Sequence, residues 1–220
     1  MSNFFVLEHD LRDPYSTDYL KEDPVNLGTA PTCGNCGAYI ALRPWLPPYR
    51  ARVTAPNEDF GDVAFGSGTS LLISDRAVEA FRAAQLTGLS SPEPVQTTAL
   101  AKARGSTPAP TYWHVTVDRP YAASVDESRS HLVRDSAPEC EVCRTSNLTE
   151  VHRFEIDDST WHGEDVFVAR GIPGVLVVSE RFKHTAEGAQ LTNMNLVPTA
   201  SFERPRGPAT AVLVSASDTE

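Results

Sequence analysis

All four cysteines of the chain fall in two C-x-x-C turns, Cys33-Gly34-Asn35-Cys36 and Cys140-Glu141-Val142-Cys143. That spacing lets one tight turn aim two thiolates at a single metal ion, and two such turns complete a tetrahedral four-sulfur set. The chemistry indicated is structural Zn2+ binding by Cys33, Cys36, Cys140 and Cys143. Spacing alone leaves two other readings open, a redox dithiol and a pair of disulfides. A redox C-x-x-C normally opens a helix, whose N-terminus lowers the thiolate pKa. Here Cys36 is followed by Gly37 and the strand-like Ala38-Tyr39-Ile40-Ala41-Leu42. Four thiolates on one ion leave no coordination position for a substrate, so the set reads as structural rather than catalytic. Gly37 supplies the freedom to take positive φ after the first pair. Arg144 stands at the equivalent place after the second, where its charge would offset part of the thiolates' negative charge.

Little else in the chain has the spacing of a reactive site. The histidines, His9, His114, His131, His152, His162 and His184, form no spaced metal motif. Trp161-His162-Gly163 is the most site-like of these stretches, in a loop with Asp157, Asp158, Glu164 and Asp165, and reads as a solvated loop. Phosphate-binding loop, nucleophile elbow, dinucleotide fingerprint and kinase signatures are all missing. The expectation is therefore a protein that is not an enzyme. The net charge of −10, from 29 acidic and 19 basic residues, disfavours nucleic acid and suits a basic protein partner. The acidic segments 58–62 and 157–165 are candidate contacts for such a partner. No apolar run is long enough for a membrane span, and the N-terminus lacks the pattern of a signal peptide, so a cytoplasmic protein is expected.

The elements that must position the cysteines can be read from pattern. Apolar or β-branched runs predict strands at 4–7, 38–42, 61–66, 71–73, 112–117, 148–156, 166–168 and 175–178. Residues 10–23 and 126–136 are polar and read as loops, and 43–49, with three prolines, reads as an extended edge anchored by aromatics. Ser74 caps a helix that buries Ala77, Phe81 and Ala84 and closes at Gly88. Residues 90–110 form a connector, helical at most around 98–103, and 203–220 a tail in which 211–214 can add an edge strand.

The second part of the chain echoes the first. Ser74-Asp75-Arg76 follows Leu71-Leu72-Ile73, and Ser179-Glu180-Arg181 follows Leu176-Val177-Val178. The offset is about a hundred residues, close to that between the cysteine turns. The expected fold is a single domain of α+β class over 1–220. It has two related strand-rich halves, about 1–95 and 111–200, each with one helix. A split zinc-ribbon-like four-cysteine site joins them.

The doubled C-x-x-C, with Gly37 after the first turn, and the strand–Ser-(Asp/Glu)-Arg–helix module resemble the myxobacterial double-CXXCG motif family over about residues 4–200. Cys33, Cys36, Gly37, Cys140 and Cys143 match its motif, and Arg144 departs from the second glycine. Members are described as swarming-inhibition immunity proteins. The resemblance implies an immunity protein that binds and neutralises a cognate antibacterial protein toxin delivered by kin. The alternatives are a zinc-ribbon adaptor or regulatory module and, with less support, a thiol oxidoreductase.

Overall fold

Strands dominate the architecture. The computed structural model describes residues 3–56, 59–101, 111–118 and 120–206. In chain order its strands are β1 (Phe4–Glu8), β2 (Asp18–Lys21), β3 (Asn26–Leu27), β4 (Trp45–Leu46), β5 (Tyr49–Ala55), β6 (Val63–Phe65) and β7 (Leu71–Ser74). After helix α1 (Asp75–Ala83) come β8 (Glu93–Ala101), β9 (Tyr112–Val115), β10 (Pro120–Ser124), β11 (His131–Arg134), β12 (Leu148–Arg153), β13 (Val166–Arg170) and β14 (Leu176–Ser179). Helix α2 (Glu180–Gly188) and β15 (Asn195–Pro198) complete the set. No helix among the described residues is long and apolar enough to cross a membrane.

Six strands close a barrel in the order β2-β5-β8-β9-β7-β6, and five form an open sheet in the order β10-β13-β14-β1-β15. The expected α+β class with two related halves is overturned by this arrangement. Two nine-residue helices accompany fifteen strands among the described residues. One set of strands is a closed barrel and the other an open sheet. The open sheet also takes its β1 from the N-terminus, where it lies between β14 and β15. The physical reason is burial. Along β1, Phe5 and Leu7 face the helices while Phe4 and Val6 face a second core, so the strand needs cover on both sides. Its place between β14 and β15, in a sheet sandwiched by the two cores, provides that.

Three strand-built cores result. One lies between the barrel, the open sheet and the two helices, and includes Ala77, Phe81, Phe182 and Ala186. The rings of Phe81 and Phe182 meet at 5.1 Å across the helix pair. Full burial of each such ring contributes about 2–3 kcal/mol. A second core lies on the opposite face of the open sheet, around Phe154, Phe167 and Ile172. The third fills the barrel with Tyr19, Trp45, Tyr49, Val53, Leu72 and Tyr112.

Several local expectations change. Residues 38–42 form no strand; only the bridge between Thr32 and Tyr39 is made. The supposed loop 10–23 contains β2, because Tyr19 is 2% exposed and fills the barrel. The polar stretch 126–136 contains β11, which pairs with β12. The connector contains β8, not a helix, paired in parallel with β5 from Tyr49↔Val95 to Ala55↔Ala101. Residues 102–110 and the edge strand expected at 211–214 lie outside the described residues.

Candidate metal centre and the latch beside it

Each cysteine pair sits at the tip of a hairpin-like excursion. The first turn is held at its base by Cys33 N–H donating to Ala38 O at 2.8 Å and Ile40 N–H donating to Pro31 O at 3.0 Å. The second lies between β11 and β12, tied by Asp135 N–H to Asn147 O at 3.0 Å and by Glu139 N–H to Ser146 Oγ at 3.0 Å. Both turns close identically: Gly37 N–H donates to Cys33 O at 2.8 Å, and Arg144 N–H to Cys140 O at 2.9 Å. Gly37 has φ 75° and Arg144 φ 52°. Arg144 therefore adopts the left-handed conformation that glycine takes at the first turn, and the second turn keeps its shape at some backbone cost.

The four sulfurs converge. Their Sγ atoms all lie within 4.8 Å of one another, and Cys36 Sγ and Cys143 Sγ are 3.7 Å apart. An ion bound tetrahedrally at about 2.3 Å from each thiolate needs sulfur–sulfur edges of about 3.8 Å. The donor set thus fits a single four-coordinate metal ion. None of the four is in a disulfide. Neither turn opens a helix, which removes the usual cause of a reactive redox thiol.

The surroundings favour thiolates at two of the positions. Cys33 is lowered by the backbone N–H groups of Asn35 and Cys36. Cys140 is lowered to about 6, first by the Cys143 N–H and then by the Asn35 amide, which donates to its sulfur at 3.3 Å. At Cys36 the Ala38 N–H pulls the other way, but burial and the three neighbouring thiols push it up to about 12. Four thiols this close cannot all ionise unless a cation joins them. Thr145 Oγ1 lies 3.4 Å from Cys143 Sγ. Tyr121 packs on the cluster and donates its hydroxyl to Ile40 O at 3.2 Å. Arg144 Nε donates to Glu141 O at 3.2 Å and lies 3.6 Å from the Glu141 carboxylate.

A second polar constellation escaped sequence reasoning. Asp62 and Asp165 are 6% and 2% exposed, so neither is the surface contact expected of segments 58–62 and 157–165. Glu58 lies outside the described residues. Asp62 accepts from Ser74 Oγ at 2.7 Å, Arg76 Nε at 3.0 Å and Thr192 N–H at 2.9 Å. Asp165 accepts from Ser179 Oγ at 2.7 Å, Arg181 Nε at 2.9 Å and Thr87 N–H at 2.8 Å. Each arginine then reaches across to the other helix end, Arg76 to Gln190 O at 3.0 Å and Arg181 to Gln85 O at 3.3 Å. The recurring Ser-(Asp/Glu)-Arg has its chemical reason here. The serine caps its helix, through Ala77 N–H at 3.2 Å or Phe182 N–H at 3.1 Å, and the arginine clamps the aspartate. Each aspartate ties the start of one helix to the segment following the other, forming a reciprocal latch.

The cap expected at Gly88 belongs elsewhere. The left-handed residues next to the helix ends are Gln85, φ 52°, and Gln190, φ 49°. Gly88 and Asn193 come three residues later, also with positive φ. At Gly88 a Cβ would collide with Val166 O. The signal available in the sequence was the paired arginine; an aspartate placed before an intervening strand carried none.

Among known proteins, comparison with curated sequences gives no match. Residues 23–201, well over half of the chain and including all four cysteines, match the Immunity protein family (Imm11). This chain belongs to the Immunity protein family (Imm11).

Proposed function

We propose that the protein binds and neutralises a cognate antibacterial protein toxin in the cytoplasm, without itself being an enzyme. The observation that carries this reading is the family match over residues 23–201. The doubled C-x-x-C supports the finer assignment to the double-CXXCG branch and its kin-directed toxins. Cys33, Cys36, Cys140 and Cys143 hold a structural zinc ion, a role supported by the tetrahedral spacing of the sulfurs. Bound zinc would supply a crosslink between the two hairpin tips, and with four protein ligands it leaves no position for substrate. The chain acts as one unit over 1–220, a reading supported by β1 lying within the sheet that follows the barrel. The net charge of −10 suits a basic partner and speeds encounter with it.

The test is co-purification with an inactivated form of the toxin encoded beside its gene, with metal analysis on the same sample. A 1:1 complex carrying one zinc per chain is expected. Failure to associate at micromolar concentration would overturn the neutralisation reading, and metal-free protein with cycling thiols would overturn the zinc assignment.

A further inference from the structure

A groove of about 460 Å³ opens beside the first cysteine turn. Residues 39–44, which follow Cys36, form one wall. The opposite wall is the barrel turn around Gly68, and Val117, Val168 and Pro173 contribute to the lining. Lys21 and Arg43 line it as well, but the Lys21 ammonium stands over the Trp45 ring at 5.2 Å and Arg43 donates to Gly28 O at 2.9 Å, so both cations are already engaged. Tyr39 and Leu42 are 54% and 47% exposed and stand on the same wall, so they present apolar surface to the groove together. Leu42 is seated against Gly68, where an added Cβ would come within 2.7 Å of its Cδ1, so this wall is held in place by the barrel.

Asp118 lines this groove and also a second cavity, of about 330 Å³, with Glu164, Thr87 and His162. The Glu164 Oε2 atom is buried and has no hydrogen-bond partner among the described residues. Asp118, beside it in the lining, is exposed. A carboxylate oxygen removed from water without a donor costs free energy that a cationic donor would restore. The groove therefore shares an acidic residue, Asp118, with a cavity whose buried Glu164 oxygen lacks a donor among the described residues.

We infer that these two cavities form the toxin-docking surface, taking an extended toxin segment whose apolar side chains fill the groove and whose lysine or arginine enters the acidic cavity. The inference rests on the neutralisation reading and names the surface that performs it. Charge selects the occupant at the Asp118–Glu164 end, where two carboxylates reject an acidic side chain and favour a cation, while Lys21 and Arg43 in the groove are held by Trp45 and Gly28 O. The four-cysteine centre gains a purpose from this placement. It fixes the hairpin from which the groove wall at Tyr39 and Leu42 continues.

The test measures binding of the inactivated neighbouring toxin to the full-length, metal-loaded chain by calorimetry at two salt concentrations. Leu42→Asp and Asp118→Lys should each weaken binding at least tenfold, and Asp118→Lys should also flatten its salt dependence. Glu79→Lys, on the exposed face of α1, should stay within twofold of wild type. Leu42→Gln gives a milder check should Leu42→Asp lower the melting temperature. If wild type binds and both groove variants bind within twofold of it, the docking surface is wrong and the neutralisation reading stands. If wild type itself does not bind, the neutralisation reading fails and the docking surface with it. If the free chain is a dimer that Leu42→Asp converts to monomer, the groove is a self-interface and the inference is overturned.

Discussion

Two buried aspartates hold the ends of the helices, and their chemistry sets how the molecule responds to acid. Burial pushes both carboxyls up, but the Arg, Ser and Thr donors outweigh it, so Asp62 and Asp165 lie below the usual carboxylate range. A depressed folded pKa supplies stability above the unfolded value that is lost as pH falls through the folded value. Replacing Asp165 by Asn should remove the charge-assisted bonds to Arg181 and Ser179 and cost about 2–4 kcal/mol in urea denaturation. His114 acts at higher pH. It is 3% exposed, stacks on Tyr49 at 4.4 Å, and has no partner for either ring nitrogen among the described residues. Burial lowers its pKa to about 4; Glu93 pulls it up slightly and Lys21 pushes it down. The unfolded chain takes a proton near pH 6.5 that the folded barrel refuses until about pH 4. Stability should therefore fall by about 2–3 kcal/mol between those values. In His114→Phe, denaturation curves at pH 7 and pH 5 should lie closer together than in wild type; an unchanged gap would clear His114 of this role.

At the level of elements, the cysteine centre and the helix latch do different jobs. The buried thiols form a small cluster of their own, flanked by Ile40 and Tyr121, and Tyr121 links it to the core between the barrel and the helices. Metal removal should consequently release the two hairpin tips without melting the barrel or the open sheet. Amide exchange after chelation should rise sharply across 31–42 and 136–147 and stay slow in β7, β13 and β14. Uniform loss of protection would place the centre in the main folding unit instead. The cysteine turns were legible in the sequence because a C-x-x-C encodes its own geometry in four residues. The Ser74 and Ser179 caps were legible for the same local reason. By contrast β8 was not, since its alanines and threonines form a strand only because β5 lies alongside, and β2 was hidden in a polar stretch with one inward Tyr19.

For the whole molecule, the topology depends on pairings between distant segments that local pattern cannot show. Parallel contacts of β5 with β8, β2 with β6 and β10 with β13 decide which strands close into a barrel and which stay open. The repeated strand–helix module was real at the level of residues and misleading at the level of architecture, because identical helix caps are set on two different sheets. What that architecture builds at the surface is an acidic molecule with a largely apolar groove beside a four-cysteine centre. The most direct test of its role is survival of cells producing the active toxin encoded beside its gene, with and without this chain. Neutralisation predicts that wild-type protein restores growth fully. Equal killing in the two cultures, with the protein present and folded, would contradict the account.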